Sequence, residues 1–423
     1  MSEQTLARPN KQKESQPGRD WRAALESMLV PVLAIFTALV VSGILILASD
    51  VRVLTAYANF LQDPGAAFSA TGKAVADAYG ALFLGAIGNP GEMSGAVGTF
   101  FATGDTKPLL AAFWPLSESL VTSTPYIFAG LAVALGFKCN LFNIGAEGQL
   151  YIGALASVWI GYAVTGLPAI IHLPLAFLGG AAAAALWGAI PGYLRARTGA
   201  HEVINTIMMN YIAFRLADWL VNGPMKRGGA AGFIPITPSI LPSAMIPKFF
   251  PDPLRFHAGF FIALAVAALV YWFLWKTTLG FEIRTVGANA RAARYAGIDA
   301  GRSIVLAMAL SGALAGMAGA NEVLAVNYNV AGAFSPGYGF DSIALALLGK
   351  SHPAGVVLAS LLFGTLRNGA TRMQSMADIP IDIIVIVQAM VVMFIAAPPI
   401  VRWLYHLRVE GGPAVNVGTA WGK

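Results

Sequence analysis

Long apolar stretches separated by shorter polar ones set the pattern of this chain. Windows of about 19 residues, the length that crosses a hydrocarbon core of about 30 Å as a helix, pick out eight. They are Leu29 to Ala48, Leu120 to Phe137, Leu150 to Thr165, Leu173 to Leu194, Val203 to Val221, Ala258 to Trp275, Ile304 to Val323 and Ile381 to Val401. A further region, Phe340 to Arg367, is apolar but interrupted by Gly349-Lys350-Ser351-His352-Pro353. Proline there removes a helix donor, and the polar residues sit badly in lipid. The pattern predicts an all-α, polytopic membrane protein with about eight full transmembrane helices plus a broken pair of short helices folded against protein.

Residues 1–28 have the polar composition of a cytoplasmic tail, the membrane domain runs from 29 to 405, and a second tail occupies 406–423. The first apolar run is longer than the 7–15-residue core of a signal peptide and reads as a retained span. Between the first two spans, 49–119 is net acidic, which suits the outer face. Its apolar piece Tyr79 to Ile87 is too short to span and predicts an interfacial helix.

Composition sharpens this picture. Only 11% of the 423 residues are charged and 57% are hydrophobic, whereas about 25% are charged in an average soluble protein. A water-soluble surface cannot be built from so few charges. The net charge of +6 could suggest a nucleic-acid partner, but the basic residues lie between apolar segments and form no single stripe. They follow the positive-inside rule instead, with more of them in the stretches that cytoplasmic termini would place inside. The external 222–257 loop, with Lys226, Arg227, Lys248 and Arg255, runs against that bias. A single cysteine, Cys139, excludes an intrachain disulfide framework and a cysteine-based zinc site.

Four polar constellations carry candidate chemistry. The first is Asn143-Ile-Gly-Ala-Glu-Gly-Gln-Leu150, between two apolar runs. Its glycines, its carboxylate Glu147 and the amides of Asn143 and Gln149 cannot face lipid, where an unpaired polar group costs several kcal/mol. Either it is a broken helix lining a solute path, or it is a cytoplasmic turn in which Asn143 caps the next helix and Glu147 favours its first turn. Spacing leaves both open. The second constellation is the basic segment 277–302, where Asn289 suits a cap and Ala290 to Tyr295 holds good helix formers. It is either a helix that docks a partner or a solvated positive loop.

Third, His201-Glu202 invites comparison with the zinc motif H-E-x-x-H, but Asn205 stands where the second histidine belongs. Asn205 and Asn210 are then polar links between helices, or path groups. Fourth, Gly349-Lys350-Ser351 resembles the end of a phosphate-binding loop, yet Ala344 replaces its first glycine and no βαβ context surrounds it. The chain is therefore not expected to hydrolyse ATP. Among the remaining intramembrane polar groups, Asn321, Glu322, Asp341 and Gln388, the carboxylates Glu322 and Asp341 are path candidates. His172, His257, His352 and His406 form no metal spacing, so no metal site is expected.

Taken together, Gly130 to Phe137 followed by Asn143 to Leu150, Arg197 to Ala213 and Leu279 to Ile298 resemble the permeases of bacterial ABC importers for nucleosides and simple sugars. Ribose and branched-chain amino-acid permeases are more distantly similar. The resemblance runs from Leu120 to Pro399, with Ala290 where the family usually has proline and Cys139-Asn140 in place of a small-residue pair. It implies a non-enzymatic translocation subunit in the bacterial plasma (inner) membrane, carrying nucleosides by alternating access. A partner ABC ATPase subunit would bind ATP and Mg, with no cofactor in this chain. A second permease subunit and a periplasmic or lipid-anchored solute-binding protein complete the expected assembly.

Their polarity at membrane depth makes Asn143, Glu147, Gln149, Asn205, Asn210, Glu322 and Asp341 the expected substrate path, while the resemblance favours the docking reading of the basic segment. On that reading Arg284, Gly287, Asn289, Arg291, Ala292, Ala293 and Gly297 are the expected ATPase-coupling set. The alternatives are a simple-sugar permease and an ion-coupled secondary transporter, which would work alone. A membrane-embedded enzyme lacks a credible nucleophile and base.

Overall fold

A computed structural model describes residues 21–229, 233–377, 385–386, 389–390, 393–394 and 397–406. The expected span Ile381 to Val401 and Gln388 thus fall largely or wholly outside the described residues. Helices account for nearly all regular structure, and the described residues contain no strand, only two isolated bridges.

The helices are α1 (Trp21–Ser49), α2 (Val51–Ala58), α3 (Pro64–Ala86), α4 (Pro90–Thr103), α5 (Lys107–Lys138), α6 (Ala146–Ala163) and α7 (Ala169–Thr198). They continue with α8 (Glu202–Asn222), α9 (Gly259–Lys276), α10 (Thr278–Ala288), α11 (Ala290–Tyr295), α12 (Ala300–Asn321), α13 (Tyr338–Leu348) and α14 (Pro353–Ala377), before a short helix at Pro398–Leu404. Among the described residues, five are long and apolar enough to cross a membrane, in α1, α5, α7, α9 and α12.

Two expectations need correction. Tyr79 to Ile87 is not an isolated interfacial piece, because all but Ile87 belong to the 23-residue α3. Small residues Ala67, Ala78, Ala81, Gly85 and Ala86 are buried on α3 and let it lie close along α14. Exposed Lys73 and Asp77 interrupt its apolar pattern and hide its length from a hydropathy window. The broken pair is also unequal: α13 has 11 residues, whereas α14 has 25. Arg367 and Asn368 find partners in the protein, so α14 continues past polar positions that would end a lipid-facing run.

The bundle is organised around α5 and α12. α5 is buried over most of its length, and α12 packs against α5, α6 and α7. Glycine and alanine form the seam: Gly153, Gly180, Ala184, Gly312 and Gly316 bring three backbones close together. Close approach compensates for the weak hydrophobic drive between helices in lipid. A methyl group on Gly316 would meet the Ala184 Cβ and the Gly180 carbonyl, whereas one on Gly72 of α3 meets nothing.

The long 222–258 loop is tied down by backbone bonds. Thr237 donates to Val330 (3.0 Å), Ile240 to Tyr328 (2.9 Å) and Ile246 to Leu324 (2.8 Å). It therefore caps the end of α12 and the π-helical turn Glu322–Asn327 that follows.

The seam predicts opposite effects for two like substitutions. Gly316→Ala should destabilise by about 1–3 kcal/mol through overpacking, lowering the temperature at which the purified protein loses its monodisperse peak. Gly72→Ala should raise that temperature slightly, since alanine exceeds glycine in helix propensity by about 1 kcal/mol. Equal behaviour of the two variants would show that the seam does not limit stability.

Candidate functional site

Helix α6 begins at Ala146, and its start carries a heavily bonded polar cluster. Asn143 is fully buried; its Nδ2 donates to Gln149 Oε1 and to Ser311 Oγ, both at 2.9 Å. Its Oδ1 accepts from the Gly145 amide (3.0 Å), which holds the turn into α6. Asn210 of α8 bridges the same turn: Oδ1 accepts from the Gly148 amide (2.8 Å), and Nδ2 donates to the Ile144 carbonyl (2.9 Å). Ser311 completes the circuit by donating to the Ala132 carbonyl of α5 (2.6 Å).

Depth follows from these partners. Asn210 lies eight residues into α8 and Ser311 eleven into α12, roughly 12 and 16 Å at about 1.5 Å per residue. The start of α6 is therefore level with the middle of its neighbours, a helix start inside the bundle and not a turn beyond its end. A buried helix start leaves amides unpaired. Asn210 supplies one acceptor, the Gly145 carbonyl begins the helical ladder at Gln149, and no apolar side chain could serve either amide.

Glu147 reaches a second helix start. Its Oε2 accepts from the Gly339 amide at 2.6 Å, in the first turn of α13. Carboxylates are stabilised at the positive end of a helix. Gly339 has to be glycine, because a Cβ there would overlap the backbone of Ala146 and Glu147. Two short-range helix starts thus meet through one carboxylate.

In the same first turn of α13, Asp341 accepts from the Tyr126 hydroxyl (2.7 Å) and pairs with Arg367 of α14 (3.4 Å). Arg367 also donates to Tyr126 (2.9 Å) and lies over the ring of Tyr338, which packs edge-on against Tyr126 at 4.9 Å. Further out, the buried Glu118 of α5 forms a two-pronged ion pair with Arg255 of the 222–258 loop. Glu322 is buried, accepts from Asn327 Nδ2 (3.3 Å) and lies within electrostatic reach of Arg255.

The structure thus brings Asn143, Glu147, Gln149 and Asn210 together in one network, with Asp341 on the helix that Glu147 caps. Glu322 stands apart, within electrostatic reach of Arg255. Asn205 is half-buried, and its Nδ2 has no hydrogen-bond partner among the described residues. Asn321 is likewise buried with both amide atoms unpartnered. Glu202 pairs with Arg195 at 3.3 Å and joins the ends of α7 and α8, a structural use of the His201-Glu202 motif.

Lys350 and Ser351 take positive φ values of 52° and 51° in a tight connection. The amides from Gly349 to His352 all donate to carbonyls of Leu345, Ala346, Leu347 and Gly349. None is left to hold a phosphate.

Glu118, Tyr126, Arg255, Tyr338 and Arg367 escaped the sequence reading. The one local signal was Glu118, a carboxylate two residues before an apolar window. The others are recognisable only through partners 26 to 241 positions away.

In the basic segment, Thr277 caps α10 through the Gly280 amide (3.1 Å), and Asn289 caps α11 through the amides of Arg291 and Ala292, both at 3.0 Å. The outward face holds Asn289, Arg291, Ala292, Arg294, Tyr295 and Gly297, with Tyr295 95% exposed. The other expected coupling residues face the bundle. Ala293 is fully buried, and a Cβ on Gly287 would strike the Lys138 carbonyl. Arg284 donates to the Leu274 carbonyl (2.9 Å) and lies over Trp275. They fix the segment on the body; its exposed face is left for contact.

Comparison with known proteins identifies the family. The family described as the permease component of the branched-chain amino acid transport system matches residues 116–396. The guanosine ABC transporter permease protein NupP of Bacillus subtilis is 38% identical over 383 residues, covering 90% of this chain and 96% of that one. The glucose ABC transporter permease protein TsgB13 of Haloferax volcanii is 34% identical over 376 residues, 86% of each. The nucleoside ABC transporter permease protein NupB of Lactococcus lactis is 35% identical over 316 residues, 73% of this chain and 85% of that one. No solved structure matches the chain. With the family covering most of the sequence and every motif of the buried network lying inside the matched region, the chain belongs to the branched-chain amino acid transport system permease component family.

Proposed function

We propose that this chain is the membrane-spanning permease subunit of an ABC importer for nucleosides, and that a separate ATPase powers its alternating access. The full-length similarity to a guanosine permease carries the substrate assignment. The buried helix start at Asn143 to Gln149 supports the transport role: it gathers α5, α6, α8, α12 and α13 at one depth, as discontinuous helices do at solute paths. A simple-sugar permease is the second reading, favoured by the similarity to a glucose permease.

In this reading both termini are cytoplasmic and segment 49–119 opens outside. α6, α8 and the 381–401 region join the five apolar spans to make eight. α8 crosses despite Arg215, whose side chain is 86% exposed and 3.7 Å from Asp218. An exposed guanidinium on a spanning helix faces protein or water more cheaply than lipid, which suits a second permease subunit on that side. A solute-binding protein would dock outside, and the face of α11 would meet the ATPase.

Uptake by the co-expressed complex in cells lacking other nucleoside importers tests the substrate: guanosine should be taken up and glucose should not compete. In the same assay Glu147→Gln, which keeps the acceptor for Gly339, should assemble and hydrolyse ATP normally. Its uptake should fall roughly tenfold, the effect of about 1.4 kcal/mol on a limiting step. Normal uptake by this variant would remove Glu147 from the path, and glucose-inhibited uptake would favour the sugar reading.

Ala292→Asp on the outward face of α11 should reduce co-purification of the ATPase while membrane insertion and thermal stability stay unchanged. Ala293→Asp should instead lower stability of the permease itself. If Ala292→Asp retains the ATPase fully, the docking surface lies elsewhere.

Orientation is tested with cysteines at the exposed Ser69 and Ser239 in a Cys139→Ala background. Both should react with an impermeant thiol reagent in whole cells; labelling only after lysis would invert the topology.

A further inference from the structure

At the end of the bundle that carries α11, a groove of about 890 Å³ opens between α7, α10, α11 and α12. Its mouth holds three guanidiniums, Arg197 of α7, Arg294 of α11 and Arg302 of α12. Among the described residues, none of the three forms an ion pair with a carboxylate. Asp299, the acidic residue of the lining, accepts from the Arg302 amide (3.0 Å) and is engaged as the cap of α12. Arg197 lies over the ring of Tyr193, 5.9 Å from its centroid, an arrangement of aromatic and cation suited to a membrane interface.

The wall above the mouth is apolar. Val305, Leu306 and Ala309 line it from α12. They lie five to nine residues beyond the first residue of that helix, roughly 8–14 Å along it. The groove thus joins a cationic mouth to an apolar channel that rises about as far as one leaflet of a core about 30 Å thick.

We propose that this groove binds one anionic phospholipid, its phosphate held between Arg197, Arg294 and Arg302 and an acyl chain laid along Val305, Leu306 and Ala309. Two features favour a lipid over a docked protein. A soluble partner meets the exposed face of α11 but does not reach the apolar wall, whose upper part lies at the level of the hydrocarbon. A free phosphate or nucleotide would use the arginines and leave that wall without an occupant. Basic clefts between helices at the cytoplasmic side recognise anionic lipid headgroups on the same grounds. Because one arginine sits on α11, a bound lipid would also tie the proposed ATPase-facing helix to α7 and α12. This last point rests on the proposed role of α11; binding itself does not.

The test uses the full chain, purified with its partners and titrated with phosphatidylglycerol or phosphatidylcholine under native mass spectrometry. Wild type should retain phosphatidylglycerol selectively. The double variant Arg197→Gln with Arg302→Gln avoids the α11 face and should weaken that binding roughly 10- to 30-fold, at about fivefold for each charge near the surface. Phosphatidylcholine binding should not change. Ala309→Phe, which fills the apolar wall and keeps every charge, should also weaken phosphatidylglycerol binding. Millimolar inorganic phosphate should not displace the lipid.

Equal retention of phosphatidylglycerol by wild type and the double variant would overturn the proposal. Displacement by phosphate, with Ala309→Phe silent, would overturn it in favour of a free anion site. Loss of the ATPase from the double variant with lipid binding intact would do so in favour of a protein contact. Binding in detergent does not depend on which side of a membrane the groove faces, so a failure of the topology would show in cysteine labelling and not here.

Discussion

Every backbone amide that begins a helix inside a bilayer must find an acceptor within the protein, since hydrocarbon offers none. This chain begins α6 inside its helix bundle, level with the middle of α8 and α12, and most of the features around it follow from the same constraint. Asn210 is on α8 because the Gly148 amide needs an acceptor there. Ser311 is on α12 because Asn143, turned inward to hold the Gly145 amide, needs a partner for its own Nδ2. Gly339 admits the backbone of α6 so closely that the Glu147 carboxylate can close the first turn of α13. Losing one member would strand another, and a buried polar group without a partner costs about 1–3 kcal/mol. The network is therefore cooperative, and it locks five helices at one level.

In the proposed transport cycle the same helices move for a solute to pass. Two ion-pair groups stand outward of the network, Glu118 with Arg255 and Asp341 with Arg367 and Tyr126. The first joins α5 to the 222–258 loop, and the second joins α13 to its neighbour α14 and to the distant α5. Pairs of this kind hold geometry while contributing little net stability, so they suit joints that open and re-form. The glycine seam of α6, α7 and α12 behaves differently. Its backbones touch directly, which leaves those three helices little room to shift against one another.

How much of this was legible in the sequence depended on range. α11 and its cap were readable residue by residue, because Asn289 and the helix formers after it act locally. That Asn143 to Gln149 could not face lipid was also readable, from polarity alone. Its depth was not, since a hydropathy window sees where an apolar run begins and not what stands beside it. α3 was hidden for a related reason: Lys73 and Asp77 face outward and dilute its average, while its small-residue face meets α14. α14 ran on through Arg367 and Asn368 because their partners, Tyr126 and Asp341 for one and Gly85, Pro115 and Ser119 for the other, lie on other helices. The packed face of α11 followed the same rule. Ala293 and Ala292 are neighbours of one type, and only the third dimension separates the buried from the exposed.

In the proposed function the buried start of α6 is part of a path that opens to water during the transport cycle. Amide hydrogen exchange of the reconstituted complex, read by mass spectrometry over peptides covering 143–149, measures this directly. These amides should be protected in one nucleotide state and exchange faster by orders of magnitude in the other, with the α6, α7 and α12 seam protected in both. Equal protection of 143–149 in every nucleotide state, in a complex that transports, would contradict it.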